Sequence, residues 1–220
     1  MSRLRLAAAA LLALGATGPA AAQQAFELSY GAAVTSNYIY HGATQSDDRP
    51  ALQGYVEGSY GLFYGGIWSS TVDFPGDPEF GQDNFEFDLY AGIRPTFGDL
   101  TVDLSYVRYL YDNSGDCCGH AQIVLGYPVA DIGEVGLEYD YDPVEDTQWL
   151  EGSASLSFAE VWSVGGTLGG DFGTNGDDSD QLAWDLGVNR TLGDFANVDL
   201  RWYDSNFDSG KAVVALGVDF

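Results

Sequence analysis

From Phe26 onward the chain alternates. Phe26, Leu28, Tyr30, Ala32 and Val34 are separated by Glu27, Ser29, Gly31 and Ala33, and the same period of two returns at 85–93, 100–106, 135–141, 150–158 and 182–188. Such alternation puts apolar side chains on one face of a strand and polar ones on the other. With a further alternation at 162–172, less regular runs at 50–60, 62–73, 120–129 and 197–203, and the closing run "KAVVALGVDF", the pattern predicts twelve strands. No segment carries a helical period. Many runs reach about 9–11 residues, the length a tilted strand needs to cross hydrocarbon, against a mean of about 5–6 in soluble proteins.

The connections predict how the strands are arranged. "SYGLF", "RPTFGDL", "YPVADIGE", "FAEVW" and "RTLGDFAN" are compact, whereas "SNYIYHGATQSDD", "FPGDPEFGQD", "DNSGDCCGH", "DPVEDT", "GTNGDDSD" and "DSNFDSG" are mostly longer and more acidic. Short turns on one edge and longer loops on the other are the pattern of an outer-membrane barrel. Inside lipid every backbone group must be paired, and only a closed sheet achieves that without an edge. The predicted fold is therefore all-β: a transmembrane antiparallel up-and-down β-barrel of about twelve strands. An even count puts both termini on the short-turn, periplasmic side, and the last strand, ending at Phe220, has to pair with the first. An exported β-sandwich would alternate too, but the Gly- and Ser-rich polar faces of "GSASLSF" and "SVGGTLGGDFG" suit side chains crowded into a narrow bore.

Composition adds a compartment and a charge. Arg3 and Arg5, the apolar run "LAAAALLALGA" and the small residues Ala20–Ala22 predict a signal peptide over 1–22, leaving one barrel domain over 23–220. The apolar run is too short for a spanning helix, which needs roughly 20 residues. Cleavage would leave six basic residues against 33 acidic ones, which argues against nucleic acid as a partner. Aromatic residues near strand ends, among them Tyr38, Tyr60, Tyr64, Tyr127, Trp149, Phe158, Trp162, Trp202 and Tyr203, are expected in the two interfacial girdles.

The polar face supplies the candidate functional residues. Glu27, Glu57, Glu86, Asp88, Asp103, Glu138, Asp140, Glu151, Asp185 and Asp199 are expected to line the lumen, with Arg94 and Arg201 against them and Arg108 of uncertain register. Asp171 and Asp219 share that parity. Rings of carboxylates favour cations over anions by their field. The expected function is passive diffusion of small, preferentially cationic solutes. The alternative is a non-conducting structural or adhesive protein whose acidic loops bind cations, because a twelve-stranded bore is only somewhat wider than those that side chains fill.

Other chemistry is weaker. "DFGTNGDDSD" offers oxygen ligands for calcium, but Gly173 and Leu182 stand where an EF-hand needs acidic residues. Cys117 and Cys118 could form a vicinal disulfide, pair between molecules, or join His120 in a soft-metal site. His41 and His120 lie in predicted surface loops near Ser46 and Ser114, with no third group to orient them. No catalytic, cofactor or metal-binding residue is assigned, and no enzyme activity is expected.

One block is distinctive. Ser36, Asn37, Tyr38, Gly42, Gln45 and Ser46, then Pro50, Ala51, Gln53 and Gly54, then Gly65, Trp68, Val72 and Asp73, together resemble the TorF family of bacterial outer-membrane proteins, grouped as porins without a known solute. His41 stands where that family more often has Arg. The resemblance implies an outer-membrane barrel and a channel. The aromatic terminus Phe220 also resembles the C-terminal signature read by bacterial barrel-assembly machinery. That machinery joins the expected partners, with outer-membrane lipid and lipopolysaccharide, the latter bridged by divalent cations.

Overall fold

The computed structural model describes residues 25–74, 81–171 and 181–220. The predicted leader over 1–22, part of the "FPGDPEFGQD" loop and residues 172–180 of the proposed calcium loop lie outside them. Twelve long strands make up the wall: β1 (Phe26–Thr35), β2 (Ala51–Tyr60), β3 (Phe63–Thr71), β4 (Phe85–Ile93), β5 (Leu100–Tyr111), β6 (Gly115–Val129), β7 (Gly133–Asp142), β8 (Thr147–Ala159), β9 (Trp162–Asp171), β10 (Leu182–Leu192), β11 (Ala196–Ser205) and β12 (Lys211–Asp219). Each pairs antiparallel with its neighbours in the chain, and β12 returns to β1 over Gly31↔Asp219 to Thr35↔Ala215. Reciprocal backbone bonds extend that seam: Tyr30 N donates to Phe220 O (3.2 Å), and Phe220 N donates to Tyr30 O (2.9 Å). The Phe220 ring stacks on Tyr30 and Phe195. The result is the closed, edge-free cylinder that the alternation predicts, with no helix among the described residues.

The molecule is inverted relative to a water-soluble fold. Large apolar side chains such as Leu28, Leu52, Val56, Leu89, Leu186, Leu200 and Leu216 are exposed, whereas Asp88, Asp103, Asp140, Asp185, Asp199 and Arg201 are buried. Soluble monomers rarely expose contiguous apolar patches beyond a few hundred Å², so an outward face this greasy is built for hydrocarbon. Leu186, at the middle of β10 and 56% exposed, tests this directly. Leu186→Arg should lower the stability of the barrel refolded into lipid vesicles by about 2–4 kcal/mol, the cost of a cation at the bilayer midplane. A shift in the urea midpoint reads it, and an unchanged midpoint would take this face out of the membrane.

Two expectations need correction, and the structure decides between the readings of the cysteines. The loop expected at 112–120 shrinks to a three-residue turn, because β5 and β6 extend to Tyr111 and Gly115. The register shifts there, with Tyr109 opposite Cys118 and Leu110 opposite Asp116, so Cys117 is the extra residue of a bulge that breaks the alternation. Cys117 and Cys118 are bonded to each other, which removes both thiolates from any soft-metal site and from pairing between molecules. Finally, the girdle assignment mixes two populations. Tyr60, Tyr127, Phe158, Trp162 and Trp202 point outward, but Tyr38, Tyr64, Trp149 and Tyr203 are buried inside the cylinder.

Candidate functional site

The β1–β2 connection does not stand away from the barrel. Residues 36–50 fold across its mouth, with a short hairpin pairing Ile39–Tyr40 to Ala43–Thr44. Asn37 is the hub of this segment. Its Nδ2 donates to Asp48 Oδ1 (2.8 Å), its Oδ1 accepts from Thr44 Oγ1 (2.7 Å), and Ser46 Oγ lies 3.0 Å away. The tip residues His41 and Gly42 take left-handed backbone angles of 47° and 80°. At Gly42 a Cβ would sit 2.5 Å from the Ala183 Cβ and 3.1 Å from the Ser205 Cβ, so only glycine brings the tip this close to β10 and β11.

The segment touches several sides of the wall. Tyr38 packs with Ala51, Val72 and Trp68, whereas Ile39 packs with Tyr203 and Val213. His41 lies between Tyr40 and Trp149, with ring centroids at 3.9 and 4.2 Å. From there it faces Asp140 on β7, the strand opposite β1 in a ring of twelve. Lys211 Nζ, 2.8 Å from Asp48 Oδ1, fastens the outer end. That hydrogen bond holds the Asp48 carboxyl below the ordinary carboxylate range. Beneath the segment lies a cavity of about 50 Å³, lined by Ile39, Tyr40, His41, Glu138, Glu151 and Asp185 among others.

Inside the cylinder the acidic residues fall into two groups. Arg94 Nη1 reaches Glu57 Oε1 (2.6 Å), its Nε reaches Asp103 Oδ2 (2.8 Å), and the guanidinium lies over the Tyr64 ring. Arg201 likewise binds Asp185 and Asp199, and Thr167 donates to Asp185. The other five candidates, Glu86, Asp88, Glu138, Asp140 and Glu151, have no Arg or Lys within ion-pair distance among the described residues. Neutral donors reach three of them: Tyr111 donates to Glu86 (3.1 Å), Gln122 to Glu138 (3.0 Å) and the Trp149 indole to Glu151 (3.3 Å). Asp140 faces the two histidines.

The remaining charges lie apart from these groups. Glu27 is exposed at the short-turn rim. Asp219 accepts from the Tyr55 hydroxyl at 3.0 Å. Arg108, of unresolved register in the sequence, sits on the same face as Leu104 and Tyr106 and pairs with Asp116 (2.6 Å).

The histidines were expected in surface loops, and neither is there. His41 is inserted into the mouth, and His120 lies on the inner side of β6 with Nε2 3.2 Å from the Tyr109 hydroxyl. The nearby serines are engaged elsewhere: Tyr38 N donates to Ser46 Oγ (3.0 Å), and Ser114 Oγ donates to Asp83 Oδ2 (2.7 Å). The signals for an inserted segment were the apolar cluster Tyr38, Ile39 and Tyr40 and the tip glycine, all within a stretch otherwise polar enough to pass for a solvated loop.

Comparison with solved structures places this architecture. The chain is similar in fold to the KdgM porin, at 11% identity with a TM-score of 0.60, covering 88% of this chain and 97% of that one. It is also similar to the COG4313 outer membrane channel from Pseudomonas putida F1, at 10% identity with a TM-score of 0.54, covering 93% and 100%. At such identities the likeness is one of fold. The sequence has no significant match among curated proteins. A family model does match, over residues 19–219, nearly the whole chain: the protein belongs to the family described as bacterial protein of unknown function, Gcw_chp.

Proposed function

We propose that the protein is a narrow, cation-preferring channel of the Gram-negative outer membrane, exported by its leader, in line with the TorF resemblance. The observation that supports it is the uncompensated interior: five inward carboxylates without an arginine or lysine, against four held by Arg94 and Arg201. Where they are ionised, carboxylates lining a bore attract cations and repel anions. The segment over 36–50 narrows the outer mouth, so the solutes are small. Lipid covers the apolar exterior.

Planar bilayers under a salt gradient test this reading. The reversal potential should indicate cation preference, and the double variant Asp88→Asn with Glu138→Gln should move the permeability ratio toward unity. Asp103→Asn should move it less, because Arg94, shared with Glu57, already offsets part of the charge that this change removes. An anion-selective wild type would refute the carboxylate argument. A silent bilayer with folded, heat-modifiable protein would favour the structural or adhesive alternative, to which the 36–50 plug lends weight.

A further inference from the structure

We propose that His41, Glu138 and Asp140, with His120 on the second oxygen of Asp140, form a site for a divalent first-row transition ion of the Zn²⁺ type, joining the inserted segment to the barrel wall. The donor atoms of His41, Glu138 and Asp140 all lie within 4.8 Å of one another. His41 Nε2 is 3.7 Å from Asp140 Oδ2, and His120 Nε2 is 3.8 Å from Asp140 Oδ1. These separations are too long for hydrogen bonds. Donors bound to one tetrahedral zinc, at about 2.0–2.2 Å from the metal, stand roughly 3.4 Å apart. Drawing the donors of His41, Glu138 and Asp140 together by up to about 1.4 Å would let a single ion bind all three.

Two independent observations point to a cation here. Asp140 is 3% exposed, yet no donor lies within hydrogen-bond length of either oxygen, the two histidines standing at 3.7 and 3.8 Å, and a buried carboxylate so loosely held is costly. Glu138 also stands directly opposite Glu151 in the β7–β8 ladder, an arrangement of like charges that destabilises a sheet. A dication would answer both. The mixed nitrogen and oxygen donors favour a transition ion over Ca²⁺ or Mg²⁺, which take oxygen ligands. The surroundings also hold the donors in place. Tyr40 and Trp149 clamp the His41 ring, Tyr109 Oη contacts His120, and Gln122 Nε2 donates to Glu138 Oε1.

The site does not depend on conduction, so its test needs no bilayer. Folded protein in detergent, with millimolar Mg²⁺ present to occupy oxygen-only sites, is titrated calorimetrically with Zn²⁺, and Co²⁺ is added separately as a probe of visible absorption. One equivalent of Zn²⁺ and a tetrahedral Co²⁺ band are expected. His41→Asn, which tolerates the left-handed backbone, and Asp140→Asn should each weaken binding at least tenfold. Asp131→Asn with Glu160→Gln, in exposed turns of the opposite rim, should leave it unchanged. If Asp140→Asn does not fold, His41→Asn alone decides. Zn²⁺ binding no stronger than in the His41→Asn protein, or no binding above the Mg²⁺ background, would overturn the proposal.

Discussion

Arg201→Met should cost the barrel about 3–5 kcal/mol, the penalty for breaking a buried ion pair by removing one partner. Arg201 is 7% exposed and holds Asp185 on β10 and Asp199 on its own strand. Its guanidinium lies over Gly187, where a Cβ would come within 2.9 Å of it, so the wall is relieved to seat this one side chain. Methionine fills a similar volume but leaves two neighbouring carboxylates without a counter-charge. Urea unfolding in lipid vesicles, followed by tryptophan fluorescence, measures the loss. The triple variant Arg201→Met, Asp185→Asn and Asp199→Asn should recover much of it, since amides carry no charge to strand. A loss below about 1 kcal/mol, the ordinary worth of a solvated pair, would mean that water reaches all three groups.

Excising the inserted segment should change conductance more than any point substitution. Thr35 and Ala51 are cross-strand partners at the outer end of the β1–β2 ladder, so a two-residue Asn-Gly turn can join them in place of residues 36–50. The ladder remains whole, but Tyr38, Ile39 and His41 leave the mouth. Single-channel conductance should rise several-fold, and cation preference should persist because Glu86, Asp88, Glu138, Asp140 and Glu151 stay on the wall. Equal conductance with and without the segment would place the constriction elsewhere in the bore.

The alternating strands were legible because a barrel in lipid has to separate greasy from polar side chains residue by residue, as Phe26–Thr35 and Leu182–Leu192 do. Closure followed from the same requirement, since the free edges of β1 and β12 have only each other to pair with. The pairing of charges was not legible. Arg201 and Asp199 are two apart on one strand and could be guessed, but Asp185 reaches Arg201 only through the β10–β11 register, which sets Asp185 opposite Tyr203. The aromatic residues misled for a related reason. A Tyr near a strand end looks the same whether it anchors in an interface or, like Tyr64, covers an interior arginine. The inserted segment escaped notice because its hydrogen bonds are local, such as those of Asn37, and local bonds suit a projecting loop equally well. The outer end of β6 escaped because the Cys117 bulge shifts its phase.

The β1–β12 seam has a consequence for how the molecule comes to exist. Neither of these strands has a complete set of neighbours until the ten between them are in place, so the ring is finished by its most sequence-distant pairing, the kind of contact that forms slowly. Up to that moment the protein is an open ribbon with two sticky margins and an oily outer surface, at risk of joining other chains. A chain with unpaired margins is therefore most vulnerable before the ring closes, and anything that shields those margins until then would protect it.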